Sequence, residues 1–145
     1  MGPKIKFFLI LGIVSLGISV YGYFKAIPSP QNQTGNLPKI EITPLSYDFG
    51  EIEFGKIVNY NFKIKNSGQE VLEIKRVATS CGCTTANALK TKINPGEETE
   101  LSVTYDTAAM GDGSHGKGSQ ERIIYIKSND PVNPQVEAII SAYVK

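Results

Sequence analysis

The only two cysteines of the chain, Cys81 and Cys83, stand one glycine apart in Ser80-Cys81-Gly82-Cys83-Thr84. Side chains at i and i+2 of an extended strand share one face, with Cα atoms roughly 7 Å apart at about 3.4 Å per residue. An extended Cys-Gly-Cys would therefore present two neighbouring thiols. A bend at Gly82, cheap for glycine, would let the sulfurs join. A bridge closing so small a loop adds little stability, and a strained bridge is the more easily reduced kind. Three uses follow. The thiolates could bind a soft cation such as Cu(I), for which sulfur ligands are selective. The pair could cycle between dithiol and disulfide. Or it could be inert and simply shape a strand end. The usual Cys-x-x-Cys redox spacing is missing.

Two residues could complete a metal site with Cys81 and Cys83. His115 is the single histidine, and imidazole is a common ligand, although a histidine on a polar glycine-rich loop is ordinarily solvated. Met110 is a potential thioether donor, against its ordinary use in apolar packing. Asp106, Asp112, Glu121 and Asp130 could meet a cation at one end of the fold, but their spacing does not fit an EF-hand, and scattered loop acids are usually solvated. The stretch Gly111 to Gly118 nearly matches a phosphate loop. Gly118 replaces the hydroxyl that holds magnesium, Ser119 comes one position late, and a strand follows where the motif opens a helix. A hairpin or bulge loop is expected there instead. No Ser/His/Asp set can be drawn through Ser114 or Ser119, so no catalytic residues and no enzymatic activity are expected, redox use of the cysteines excepted.

The elements that hold the cysteines begin with an address. Phe7 to Phe24 is an almost unbroken apolar run without a charge, long enough to cross a bilayer. Lys4 and Lys6 precede it and Lys25 follows, which favours a cytoplasmic N-terminus and an exported remainder. A cleaved signal peptide competes, but the run exceeds the usual apolar segment of roughly 7–15 residues. The expected organisation is a cytoplasmic N-terminus (1–6), a transmembrane anchor (7–24), a proline-punctuated linker (25–38) and an exported domain (39–145), facing the periplasm or the cell exterior. Asn32-Gln33-Thr34 matches a glycosylation sequon only weakly.

With 145 residues, 41% hydrophobic and 20% charged, the chain suits one domain and an accessory segment. Its net charge is +1. The three lysines before residue 39 meet no acid, so the folded part is slightly acidic. It lacks the basic footprint of a nucleic-acid binder, and no nucleotide is expected either.

From Lys39 onward apolar residues recur every second position, as in half-buried strands. Ile40 and Ile42 alternate with Lys39, Glu41 and Thr43. The alternation is cleanest through Val58, Tyr60, Phe62 and Ile64. It resumes in Val71 to Thr79, in Leu101, Val103 and Tyr105, in Arg122 to Lys127 and in Val136 to Val144. Asn66 to Gln69, Asn94 to Glu97 and Asn129-Asp130-Pro131 carry turn chemistry. About seven strands of this kind predict an all-β, immunoglobulin-like antiparallel β-sandwich, without the core tryptophan and inter-sheet cysteine pair of antibody domains. Its strand edges could accept another chain, with Lys63, Lys65, Lys75 and Arg76 as guards against aggregation.

Tyr47-Asp48-Phe49-Gly50, Gly55, Asn66-Ser67-Gly68, Leu72-x-Ile74, Ser80-Cys81-Gly82-Cys83-Thr84, Pro95-Gly96-Glu97 and Ser128-Asn129-Asp130-Pro131 fall in one order. That order resembles the bacterial family of unknown function DUF1573, over roughly Ile40 to Val144. The family is immunoglobulin-like and similar to the ASH and HYDIN modules of ciliary and centrosomal proteins and to major sperm protein-like domains. The resemblance implies the sandwich and an envelope location, and it implies no catalytic residues. The loop from Thr107 to Gln120 is longer and richer in glycine than the pattern suggests. Residues and resemblance together lead to a membrane-tethered, non-catalytic module that binds another envelope protein, with Cu(I) binding or thiol–disulfide exchange as alternatives.

Overall fold

The computed structural model describes residues 35–109 and 116–145. The N-terminal segment 1–6, the anchor expected over 7–24, the linker as far as residue 34, and Met110, Asp112, Ser114 and His115 lie outside the described residues. Among the described residues no helix is long and apolar enough to cross a membrane.

The cleanest alternation in the sequence builds the centre of one sheet. Strand β3 (Ile57–Asn66) turns Phe62 and Ile64 wholly inward. It lies between β1 (Ile40–Thr43) and β7 (Glu98–Asp106), whose Leu101, Val103 and Tyr105 are buried in phase with it. Beyond β7 comes β5 (Thr84–Ala88), giving the order β1-β3-β7-β5. The facing sheet pairs β8 (Gly118–Ser128) with β9 (Gln135–Val144), then adds β2 (Ser46–Ile52) on one side and β4 (Leu72–Thr79) and β6 (Lys92–Ile93) on the other. Its order is β2-β9-β8-β4-β6. Ile124, Ile126, Ala138 and Ile140 close the core from this side. Each fully buried Ile, Leu, Val or Phe among them contributes about 1.5–3 kcal/mol of transfer free energy.

The all-β, immunoglobulin-like sandwich is as expected; three details differ. There are nine strands among the described residues, two of them very short. One pair is not antiparallel: β2 runs parallel to β9. The first extended run leaves one sheet at Thr43–Pro44 and continues in the other as β2. Alternation reports which face is buried but not which neighbour a strand finds, so the switch of sheet was invisible. Finally, the loop expected to be a hairpin or bulge joins β7 and β8, which belong to different sheets. A strand does follow it, as required for rejecting the phosphate-loop reading.

At one end of the sandwich two polar side chains are buried and saturated with hydrogen bonds. Asn66 donates through Nδ2 to the carbonyls of Glu70 (2.8 Å) and Ile93 (2.9 Å), and its Oδ1 accepts from the N–H of Gly68 (3.0 Å). Asp130 accepts the N–H groups of Ile40 (3.0 Å), Val132 (2.8 Å) and Asn133 (3.0 Å). Domain contacts reach back into the segment expected to be linker. Pro38 is buried, and the Leu37 carbonyl accepts the Gln69 N–H at 2.9 Å.

Candidate functional site

The cysteines lie at the opposite end, where the chain crosses from β4 to β5 and so from one sheet to the other. Strand pairing persists to the last residue before the crossing. The Ser80 N–H donates to the Ile123 carbonyl at 2.9 Å, and Ser80 Oγ accepts the Ile123 N–H at 3.0 Å. The chain then bends through Cys81 and Gly82. The Thr79 hydroxyl lies 2.9 Å from the Cys81 carbonyl and 2.8 Å from that of Thr84, so it fastens both limbs of the bend. The N–H of Asp106 donates to the Cys83 carbonyl at 2.9 Å, tying the second limb to the end of β7.

This bend brings the two Cα atoms to 5.3 Å, and Cys81 and Cys83 form a disulfide. The conditional half of the sequence reading therefore applies: the chain bends and the sulfurs join. Gly82 is not among the positive-φ glycines, and a methyl group built on it meets no atom within 4 Å. The bend comes from the flanking hydrogen bonds, not from a conformation reserved for glycine.

The two sulfurs see different surroundings. Cys83 is 3% exposed and packs in the core, whereas Cys81 is half-buried at its margin. The Nε–H of Arg122 donates to Cys83 Sγ at 3.1 Å. The Thr84 hydroxyl lies 3.5 Å from Cys81 Sγ and 3.8 Å from Cys83 Sγ. The guanidinium is held over the Tyr105 ring, 5.6 Å from its centroid, a favourable cation–π geometry. Its remaining nitrogens donate to the Glu121 carbonyl and to Gln120 Oε1. No ion pair among the described residues neutralises it. Burial pushes the Tyr105 phenol above its ordinary value, against the opposite pull of the Arg122 charge.

Arg122 is the residue that sequence reasoning missed. In sequence it reads as the opening of the apolar run to Lys127, yet it shares the phase of Ile124, Ile126 and Ser128, all buried. A lone cation on the inward side of a strand needs a reason, and the reason is Cys83. The signal was there in the alternation itself.

The other candidates are dispersed. His115 and Met110 lie outside the described residues. Of the acids, Asp106 and Glu121 stand at the cysteine end, but Asp130 is at the far end and is not a solvated loop acid. Among the described residues no group of three or more His, Cys, Asp or Glu could hold a metal ion. For Cu(I) the donor chemistry fits poorly. The sulfurs are spent on each other, and a guanidinium already occupies the approach to Cys83, where a second cation would be repelled. Lys63 and Lys65 are on β3, an interior strand, so they are not edge guards; Lys75 and Arg76 do stand on the outer part of β4.

A family model described as a protein of unknown function (DUF1573) matches residues 40–144. No curated protein matches the chain. Among solved structures, a Porphyromonas gingivalis W83 protein of unknown function is similar at 27% identity and a TM-score of 0.65, over 73% of this chain and 46% of that one. The chain thus spans less than half of that relative. The ASH/PapD-like domain 7 of human CEP192 aligns with a TM-score of 0.59 at 11% identity, over 82% of this chain and 93% of that domain. SSP-19, an MSP-domain protein of Caenorhabditis elegans, aligns with a TM-score of 0.51 at 12% identity, over 70% and 97%. The last two share the fold alone.

Proposed function

From the premise that the chain belongs to the DUF1573 family, with an immunoglobulin-like fold suited to protein–protein interaction, we propose a membrane-tethered binding module. In this reading the apolar run Phe7 to Phe24 anchors it, the sandwich faces the periplasm or cell exterior, and an extended segment of another envelope protein adds to the edge strand β5.

One observation carries this reading: β5 is the unguarded edge. Among the described residues the sandwich has four edge strands, β1, β5, β2 and β6, and β4 beyond Glu73 is a further edge that carries Lys75 and Arg76; natural proteins blunt such edges by shortness, bulges or charge. Strand β6 has two residues and β1 has four. The pairing of β2 is interrupted between Asp48 and Glu51, with Gly50 at a positive φ of 67°. Strand β5 pairs with β7 over five residues without a register shift, and Thr84-Thr85-Ala86-Asn87-Ala88 carries no charge. The bond from Leu89 N–H to the Glu100 carbonyl sets the phase, so alternate residues Ala86 and Ala88 turn their N–H and C=O away from β7. Those groups are available to an added strand. Lys75, Arg76 and Val77 of β4 line the groove alongside, with Ala86 and Ala88 on its other wall.

A photocrosslinker at Asn87 of the full chain in its native membrane is expected to capture one discrete envelope protein. Ala86→Pro removes an outward N–H but no β7 bond, and should abolish the adduct. The reading fails if capture is as strong from Lys63 on β3, or if Ala86→Pro leaves the adduct intact in a folded chain.

A further inference from the structure

We propose that the Cys81–Cys83 bridge is a thiol–disulfide exchange site, in which Cys81 takes the attack and Arg122 stabilises Cys83 as the leaving thiolate. The substrate class is a protein or peptide dithiol. This inference stands on the sulfur environment and does not depend on binding along β5.

Exchange requires access to one sulfur and a good leaving group at the other. The two requirements are divided here between two residues. Cys81 sits half-exposed at the outer side of the bend, while Cys83 is 3% exposed and points into the core. An incoming thiolate therefore reaches Cys81. Its sulfur bonds to Cys81 Sγ as the Cys81–Cys83 bond breaks, and the electron pair leaves on Cys83 Sγ. A thiolate buried in apolar surroundings would ordinarily be unfavourable. Here it is released against the Arg122 Nε–H, 3.1 Å away, and beside the Thr84 hydroxyl. The guanidinium does not have to be recruited for the event: Tyr105 beneath it and the Gln120 and Glu121 oxygens around it already hold it in place.

The second half of the step balances the electrons. The partner's other thiol gives its proton to solvent and attacks the partner's sulfur in the mixed disulfide. Cys81 leaves and is protonated. The partner dithiol has lost two electrons and become a disulfide, and the bridge has gained them as the Cys81 thiol and the Cys83 thiolate, with the second proton of the dithiol left in solvent. Reaction with a disulfide-bonded protein runs the same steps backwards and restores the bridge.

A bridge whose task was stability would join distant parts of the chain, because cross-linking contributes through the loop it closes. This one spans two residues, and the bend is already fastened by Thr79 and Asp106. An in-phase cation on the buried sulfur adds nothing to that fastening, but it lowers the cost of opening.

The test uses the full chain, with glutathione as the probe thiol and dithiothreitol as the probe dithiol. Glutathione is expected on Cys81, located by fragment mass spectrometry after rapid alkylation. Arg122→Gln should slow bridge opening by dithiothreitol about threefold, the consequence of roughly one unit in the leaving thiol's pKa at a Brønsted coefficient of about 0.5. It should also raise the pH at which Cys83 ionises, read from thiolate absorbance in the reduced chain. Arg122→Lys keeps the charge and should recover part of both effects. Glutathione found on Cys83, or unchanged opening rate and ionisation in folded Arg122→Gln, overturns the proposal. Should Arg122→Gln not fold, the adduct position and the Arg122→Lys rate still decide it: an adduct on Cys81 with slowed opening supports, and an adduct on Cys83 refutes.

Discussion

At one end of the sandwich Asn66 and Asp130 are buried with their polar atoms committed to backbone partners. At the other end a part-buried contact sets Arg122 on Cys83, a cation against a sulfur that carries no charge while the bridge is closed. The first end gains nothing from a change of state. The second is better matched to the opened bridge than to the closed one, since a hydrogen bond strengthens when its acceptor becomes ionised. Two turns that both join strands can thus be told apart by whether their electrostatics are already complete. A saturated turn is there for the fold, and a cation held against a neutral sulfur marks chemistry.

The contrast is broken most severely at the saturated end. Gly68 has no room for a side chain: a methyl group there would lie 2.2 Å from the Leu37 carbonyl oxygen and 2.5 Å from the Lys39 nitrogen, both backbone atoms. Gly68→Ala must displace the entering chain and should cost about 3 kcal/mol or more, read as a lower denaturant midpoint. Asp130→Ala strands three backbone N–H groups and should cost about 3 kcal/mol.

Asp130 also gives this end a pH signature. Burial alone would raise its carboxyl above the ordinary value of 3.8, but the N–H groups of Asn133, Ile40 and Val132, with the charge of Lys39, outweigh it and the net shift is downward. A lowered folded value means that its stabilisation is fully present above the unfolded pKa and is lost as pH falls through the folded one. Acid titration of stability should show that loss below about pH 4, and Asp130→Asn should remove it. A wild-type chain whose stability is flat through that range would contradict the assignment.

How much of this could be read beforehand depends on how local the signal is. Burial alternates along β3, β7 and β9, so Phe62, Leu101 and Ile140 declare the core without any knowledge of neighbours. Pairing is not local, and the parallel seating of β2 on β9 could not be seen from Tyr47-Asp48-Phe49-Gly50. In sequence Asp130 reads as a solvated loop acid, because its partners include Ile40, ninety positions away. At the candidate site the cysteines and the need for a bend were legible. The asymmetry between them was not, because it is created by Arg122 of a strand that approaches only in the folded chain. Arg122 shows how such a residue is found: by asking why a cation keeps step with buried isoleucines.

Removing the bridge should disturb the fold less than either change at the saturated end. The chain-entropy estimate for so short a loop is about 1–2 kcal/mol. Cys81→Ala with Cys83→Ala should lower stability by about that much, in equilibrium unfolding of the full chain. A loss as large as that of Gly68→Ala would mean that the bridge belongs with Asn66 and Asp130 as a fastening of the fold.

The smallest expected effect sharpens the comparison most, because it sets one glycine against another. Gly68 and Gly82 both lie in turns between strands, yet the first is packed against backbone and the second faces open space. Since the bend at Gly82 does not use a positive φ, alanine there meets neither a clash nor a forbidden backbone region. Gly82→Ala should change stability by no more than about 0.5 kcal/mol and leave the disulfide formed, as counted by free thiols in denaturant. If the bridge then fails to form, the bend depends on the flexibility of glycine after all, and the hydrogen bonds of Thr79 and Asp106 do not suffice to hold the sulfurs together. If it forms, those bonds carry the geometry, and the spacing residue is free to be small for another reason: it leaves the flank of Cys81 uncovered for an approaching thiol.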